Sequence, residues 1–181
     1  MRRRFRNQKS LSYYELRTAS LIPLFTSKWS KNKLSNGLKW CCEKRGLRLY
    51  EYVILNDRVL LIANAAWGHL PDTIDSYRKF TSTSMIRYLR EGSRNLDRSW
   101  ILPALKEASA DGSGSEVSIW SDEMIVRTLF TTEQIDEHAL AIRSAPVKAG
   151  LVHKEEDYIY SSANPRNPLE GWQVAVTDRG I

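Results

Sequence analysis

Residues able to do chemistry are few in this chain and poorly spaced for it. The three histidines, His69, His138 and His153, are far apart, and no two have the spacing of a metal-binding pair. Cys41 and Cys42 are adjacent, and neighbouring side chains of a helix diverge, so geometry disfavours a bridge between them. A chain without a disulfide framework is expected in the cytoplasm. There is no glycine-rich phosphate loop, no G-x-S-x-G elbow and no zinc-type cysteine pair. What the chain does offer is positive charge. Its formal net charge is +6 and its pI about 9.4, which points to an anionic partner. Arg2, Arg3, Arg4 and Arg6 surround Phe5, Arg78, Lys79 and Arg143 sit on later helical segments, and Lys148 follows the last of them. Cations beside phosphates release condensed counterions, so these are the candidate nucleic-acid contacts. The arginine arm reads equally as a solvated terminus, and the later cations as a solvated helix face. Trp29 and Trp40 have the rings to stack on bases, but aromatics at helical spacing more often fill a core, and core is the expectation here.

The elements that must position these residues centre on Leu47 to Asn64. Two strands flank a tight Asn56-Asp57 turn, and the second, Val59 to Ile62, is wholly apolar. Such a strand belongs in the middle of a covered sheet. A first strand is expected over Ser12 to Ile22, with Tyr13, Tyr14 and Leu16 in it, closed by Pro23. Ser27 to Arg45 reads as a helix that buries Leu34, Leu38, Cys41 and Cys42 and stops at Gly46. Pro71 to Glu91 is a longer helix with Pro71, Asp72 and Asp75 at its start. Its buried stripe is Ile74, Tyr77, Thr81, Met85 and Tyr88, with Arg78, Lys79, Arg87 and Arg90 off it. Asn95 to Ala108 is a third helix, and ADGSGS (110–115) a flexible loop. Glu116 to Trp120 reads as the last strand, with Ser121 capping a short helix over Asp122 to Leu129. Thr131 to Ser144 is the final helix. Thr131 and Gln134 have capping-box spacing, Ile135, Leu140 and Ile142 supply its apolar contacts, and Pro146 stops it.

The 181 residues fit a single domain, expected at 12–163, with a basic arm at 1–11 and a tail at 164–181. No apolar run approaches a membrane span, and the start, MRRRFRNQKS, lacks the apolar segment of a signal peptide.

Several stretches resemble the REP-associated tyrosine transposases, a branch of the single-tyrosine HUH transposases. Tyr52-Val53-Ile54-Leu55-Asn56-Asp57-Arg58-Val59-Leu60-Leu61-Ile62 follows the family's catalytic strand pair, Y-V-I-M-P-N-H-V-H-L-L, except at the two histidines. Arg78-Lys79-Phe80-Thr81-Ser82 is similar to a K-x-F-T-S stretch, and Trp120-Ser121-Asp122-Glu123-Met124 to W-S-x-E-M. Pro146 to Val152 is similar to N-P-V-K-A-G-L-V, and Asp157 to Ala163 to D-Y-x-Y-S-S-A. The likeness runs from about Ser12 to Ala163. It implies an α+β fold: an antiparallel sheet of about four to five strands backed by helices, of the ferredoxin-like or RNA-recognition type.

The resemblance also implies a reaction. A tyrosine attacks a DNA phosphodiester to give a 5′-phosphotyrosine link, while Mg or Mn, held by two histidines and a third polar ligand, polarises the phosphate. Aligned on Pro146-Val147-Lys148, Ala141 stands in the nucleophile's place and Ala145 in that of the third ligand; Arg58 and Leu60 hold the histidine positions. Alanine and leucine carry neither lone pair nor nucleophile, and a guanidinium repels a cation. No metal or other cofactor is therefore expected, and no catalytic residue of the family pattern is intact. Arg58 has two readings: a phosphate holder whose donors match phosphate geometry, or a turn residue in water. The expectation is a degenerate transposase-like protein, nucleoid-associated, a monomer or homodimer. It would bind hairpin single-stranded DNA without cleaving it, basic residues tracking the backbone and aromatics stacking on unpaired bases. The alternatives are an active enzyme with relocated catalytic residues and a vestigial or protein-interaction fold.

Overall fold

A computed structural model describes residues 10–91, 99–109 and 117–173. Four strands form one antiparallel sheet: β1 (Leu11–Thr18), β2 (Leu47–Ile54), β3 (Arg58–Ala65) and β4 (Trp120–Leu129), in the order β2-β3-β1-β4. With α1 (Lys28–Arg45) after β1 and α2 (Leu70–Glu91) after β3, the chain has the split βαβ connectivity of ferredoxin-like folds. A short α3 (Ile101–Ser109) precedes β4, and α4 (Thr132–Lys148) follows it. The arginine arm at 2–6 lies outside the described residues, as do 95–98 of the expected third helix and the whole ADGSGS loop.

β3 is central, as its apolar run predicts: Val59, Leu61, Ile62 and Ala63 are fully buried between β1 and β2. α1 and α2 cover one face. They meet closely at Gly37, where a Cβ would lie 2.9 Å from the Tyr77 ring. α4 crosses the other face over β2 and β3. Alternation along β1 sends Tyr14 and Leu16 to the first face and Tyr13, Glu15 and Arg17 to the second. A bulge between Leu49 and Glu51 shifts the β2–β3 register, so Glu51 pairs with Ile62. The extra residue turns Glu51 towards α4.

Several local expectations need correction. The last strand, expected over Glu116 to Trp120, begins only at Trp120; Val117 to Ile119 are not strand. Residues 122–129 are strand, not helix: Ser121-Asp122-Glu123 imitates a helix start, but the β-branched Ile125, Val126 and Thr128 pair with β1 across Met124 to Leu129. β1 ends at Thr18 rather than Ile22. The chain then makes a 3-10 turn, Ala19–Leu21, in which Ser20 and Leu21 take φ of 52° and 54°. Pro146 does not end α4, which continues to Lys148. Only the Ile142 carbonyl loses its amide partner there, one turn from the end. Leu140 lies in solvent, 62 % exposed. Trp29 and Trp40, expected in the core, are each 40 % exposed.

Residues 158–173 fold back along the open edge of β2. Ile54 N–H donates to the Tyr160 carbonyl at 2.9 Å and Ser162 N–H to that of Tyr52 at 2.9 Å. The Tyr52 hydroxyl donates to Asn167 Oδ1 at 2.9 Å, and Leu169 is fully buried. The segment expected as a tail is therefore packed on the sheet as far as Gln173, capping an edge that would otherwise present unpaired backbone.

Candidate functional site

On the α4 face, β1, the β2–β3 turn and α4 enclose a cavity of about 350 Å³. Arg58 and Leu60, two apart on β3, point the same way. Ala141 and Ala145, four apart on α4, lie one turn apart on one side of the helix. All four line this cavity, together with Glu15, Asn56, Asp57 and Lys148. A hairpin fixes the β3 pair, the Thr131–Gln134 capping box starts the helix that carries the other two, and packing of α4 on β2 and β3 brings the pairs together.

The cavity's electrostatics are closed on themselves. Arg58 Nε and Nη2 donate to the two carboxylate oxygens of Asp57 at 3.0 and 2.9 Å, and Nη1 donates to Glu15 Oε1 at 3.1 Å. Arg17, directly across the ladder from Arg58, donates its Nε to the same Glu15 oxygen at 2.6 Å. Two guanidiniums thus neutralise two carboxylates. The Asp57 pairing above all, reinforced by its charge and that of Glu15, holds the Arg58 guanidinium even more firmly protonated than usual against the opposing effect of burial. The turn is anchored from behind by Lys31. Its Nζ donates to Asn56 Oδ1 at 3.0 Å and lies 5.2 Å from the Tyr158 ring centroid and 5.6 Å from that of Tyr160. Burial pushes the Lys31 pKa down.

This donor set does not suit a divalent cation. Among the described residues no three of His, Cys, Asp and Glu converge as metal ligands. The two carboxylates at the cavity are already bonded by guanidinium groups, and a cation entering here would meet Arg58 first. Nor does a nucleophile stand ready. No tyrosine lines the cavity. Tyr13 touches its edge, donating its hydroxyl to Glu15 Oε2 at 3.4 Å. Burial, and then the charge of Glu15, push the Tyr13 pKa up to about 12, the wrong direction for making a phenolate. His138 packs its ring 4.8 Å from that of Tyr13 and bonds the Gln134 carbonyl through Nδ1. Tyr158 and Tyr160 are buried, their hydroxyls on the Ile54 carbonyl and Asn32.

The remaining cations singled out in the sequence fall elsewhere. Arg143, on α4, grips the buried Glu51 with two nitrogens, and Ser162 also donates to that carboxylate. Arg78 and Lys79 line a separate cavity of about 550 Å³ beside α2, with Arg87, Arg90, Ser82 and Ser118. Arg78 donates to the Ser121 carbonyl at 2.7 Å and pairs loosely with Asp75. Sequence reasoning placed Arg87 and Arg90 off the buried stripe but not in a site. Their spacing, eight residues from Lys79 to Arg87 and three more to Arg90, is the helical signal that would have grouped them. Sequence reasoning missed Glu15 and Glu51: although Arg17 is close to Glu15 in sequence, the partners that tie these carboxylates to other strands and helices, Arg58 and Arg143, lie 43 and 92 residues away.

The sequence matches no described protein family and no curated protein. Among solved structures, the chain is similar to a REP-associated tyrosine transposase bound to a REP hairpin: TM-score 0.61 and 14 % identity, over 96 % of this chain and 88 % of that one. It is also similar to a candidate transposase of Deinococcus radiodurans R1, with a TM-score of 0.47 and 16 % identity over 76 % of this chain and 92 % of the other. The chain has the fold of the transposase structure, a four-stranded antiparallel sheet backed by helices. No described helix is long and apolar enough to cross a membrane.

Proposed function

We propose that this protein binds hairpin-forming single-stranded DNA and does not cut it. One observation carries the reading: Arg58, Leu60, Ala141 and Ala145 face one another across a single cavity in which Arg58 is paired with Glu15 and Asp57. In the resemblance drawn from the sequence, those positions belong to two metal ligands, a nucleophile and a third ligand. Here they offer no free lone pair and no attacking hydroxyl. The protein of similar fold is bound to a REP hairpin, which makes a hairpin the first ligand to test.

The contacts would come from cations that are not already held. Lys148 stands at the cavity rim, and Lys79, Arg87 and Arg90 line the α2 cavity. Arg58 and Arg143 serve mainly to neutralise Glu15, Asp57 and Glu51. Arg2, Arg3, Arg4 and Arg6 would add a contribution of the usual counterion-release kind. Such a protein would sit on the nucleoid, and its role would be occupancy of the DNA rather than transposition.

The test is hairpin binding measured by anisotropy at two salt concentrations. The reading expects affinity that falls steeply as salt rises, by close to one power per phosphate neutralised. Absence of salt-dependent binding would favour a vestigial or protein-interaction fold.

A further inference from the structure

On the outer side of the α1/α2 pair, across the sheet from the cavity, rings and cations alternate. Along α1, Trp29, Lys33, Asn36 and Trp40 follow at intervals of four, three and four, one stripe that spans about 16 Å of helix. α2 borders it with Phe80 and Tyr88. Trp29 stacks on Tyr88 with ring centroids 4.0 Å apart, and Lys33 Nζ lies 5.8 Å from the Phe80 ring. The Arg45 guanidinium sits 5.4 Å over the Trp40 ring and donates to Ser76 Oγ at 3.1 Å. Trp29 and Trp40 are 40 % exposed and Phe80 44 %. α1 carries six lysines and arginines against one acid, Glu43.

This pattern sets a condition on whatever covers the surface. An apolar protein face would leave the lysines buried and unpaired, at a large desolvation cost. An acidic surface alone would not account for three large rings kept in water. A ligand that itself alternates flat rings and anions satisfies both. We propose that this face is a second nucleic-acid site, taking a single-stranded segment. Unpaired bases stack on Trp40, Phe80 and the outer face of Trp29, and phosphates lie against Lys28, Lys33 and Lys44. The site is on the opposite side of the sheet from the cavity, so one protein can hold a hairpin and an unpaired flank at the same time. The inference stands apart from the hairpin reading, because it concerns DNA with no secondary structure.

The experiment measures anisotropy of a labelled oligothymidylate, with a blunt hairpin lacking unpaired tails in parallel. Wild-type protein is expected to bind the oligothymidylate. The double variant Trp40→Ala, Phe80→Ala should lose about tenfold or more in that affinity and keep its affinity for the blunt hairpin. Lys33→Gln with Lys44→Gln, which leaves the rings in place, should lower the salt slope for oligothymidylate by about one to two. Wild-type protein that ignores oligothymidylate at low salt would overturn the proposal. So would a loss confined to the lysine variant, which would show a cationic surface without stacking. Failure to bind the blunt hairpin bears only on the hairpin reading.

Discussion

Arg58 on β3 lies 3.1 Å, through Nη1, from Glu15 Oε1 on β1, and its other two nitrogens clasp Asp57. Because Arg17, two residues along β1 and across the ladder from Arg58, reaches the same Glu15 oxygen, four charges cancel beside the cavity. The guanidinium that neutralises the carboxylates also occupies the oxygens that could otherwise serve as ligands.

The double change Arg58→His with Leu60→His is expected to leave hairpin DNA uncut in Mg or Mn. Two imidazoles would supply ligands, but Ala141 still has no hydroxyl to attack phosphorus. Denaturing gels of an end-labelled hairpin check this. The variant should also be less stable, by about 2 kcal/mol in urea melts, because Glu15 and Asp57 lose their shared partner in a partly buried setting.

Arg143→Ala should destabilise more than it weakens DNA binding. Glu51 is 2 % exposed and would be left with only Ser162 as a side-chain donor. Breaking a buried pair costs about 3–5 kcal/mol, and discounting for the exposed arginine and the remaining hydroxyl gives about 2. Arg143→Ala combined with Glu51→Gln should recover part of that loss, read as the urea midpoint.

Stability should fall from about pH 9 to 10 upwards. Burial pushes Cys41 and Cys42 up to about 12 and Tyr13 likewise, and raises Tyr52, Tyr77 and Tyr158 as well. Each group is protonated in the folded chain at a pH where the unfolded chain has already ionised. Its contribution is therefore complete below the unfolded pKa and lost as pH rises through the folded one. Tyr52→Phe should flatten the slope by up to about 1.4 kcal/mol per pH unit, measured by urea melts across that range.

Gly46→Ala tests the join between α1 and β2. Gly46 has φ of 71°, and an added Cβ would lie 2.7 Å from the Trp67 ring and 2.9 Å from its carbonyl oxygen. Left-handed strain and overpacking together should cost about 2–3 kcal/mol, seen as a lower melting temperature.

The hairpin about Asn56-Asp57, the α1 stop at Gly46 and the Thr131–Gln134 cap were legible because each is written in neighbouring residues. β4 was not, since Ser121-Asp122-Glu123 has cap chemistry and only pairing with β1 decides against a helix. The cavity's occupants were legible only through a resemblance. Their spacing in sequence, over eighty residues between Leu60 and Ala141, carries no local signal. The distant partners, Glu15 of Arg58 and Glu51 of Arg143, were invisible for the same reason, and so was the exposure of Trp29 and Trp40, which depends on how α1 packs against α2.

The most direct measurement puts the protein with an end-labelled hairpin carrying unpaired flanks, in Mn and again in EDTA, and reads binding and covalent linkage from one sample. A salt-sensitive complex of equal affinity in both, with no adduct surviving denaturation and no shortened strand, is the predicted result. A protein–DNA adduct that forms only with the metal would contradict the account.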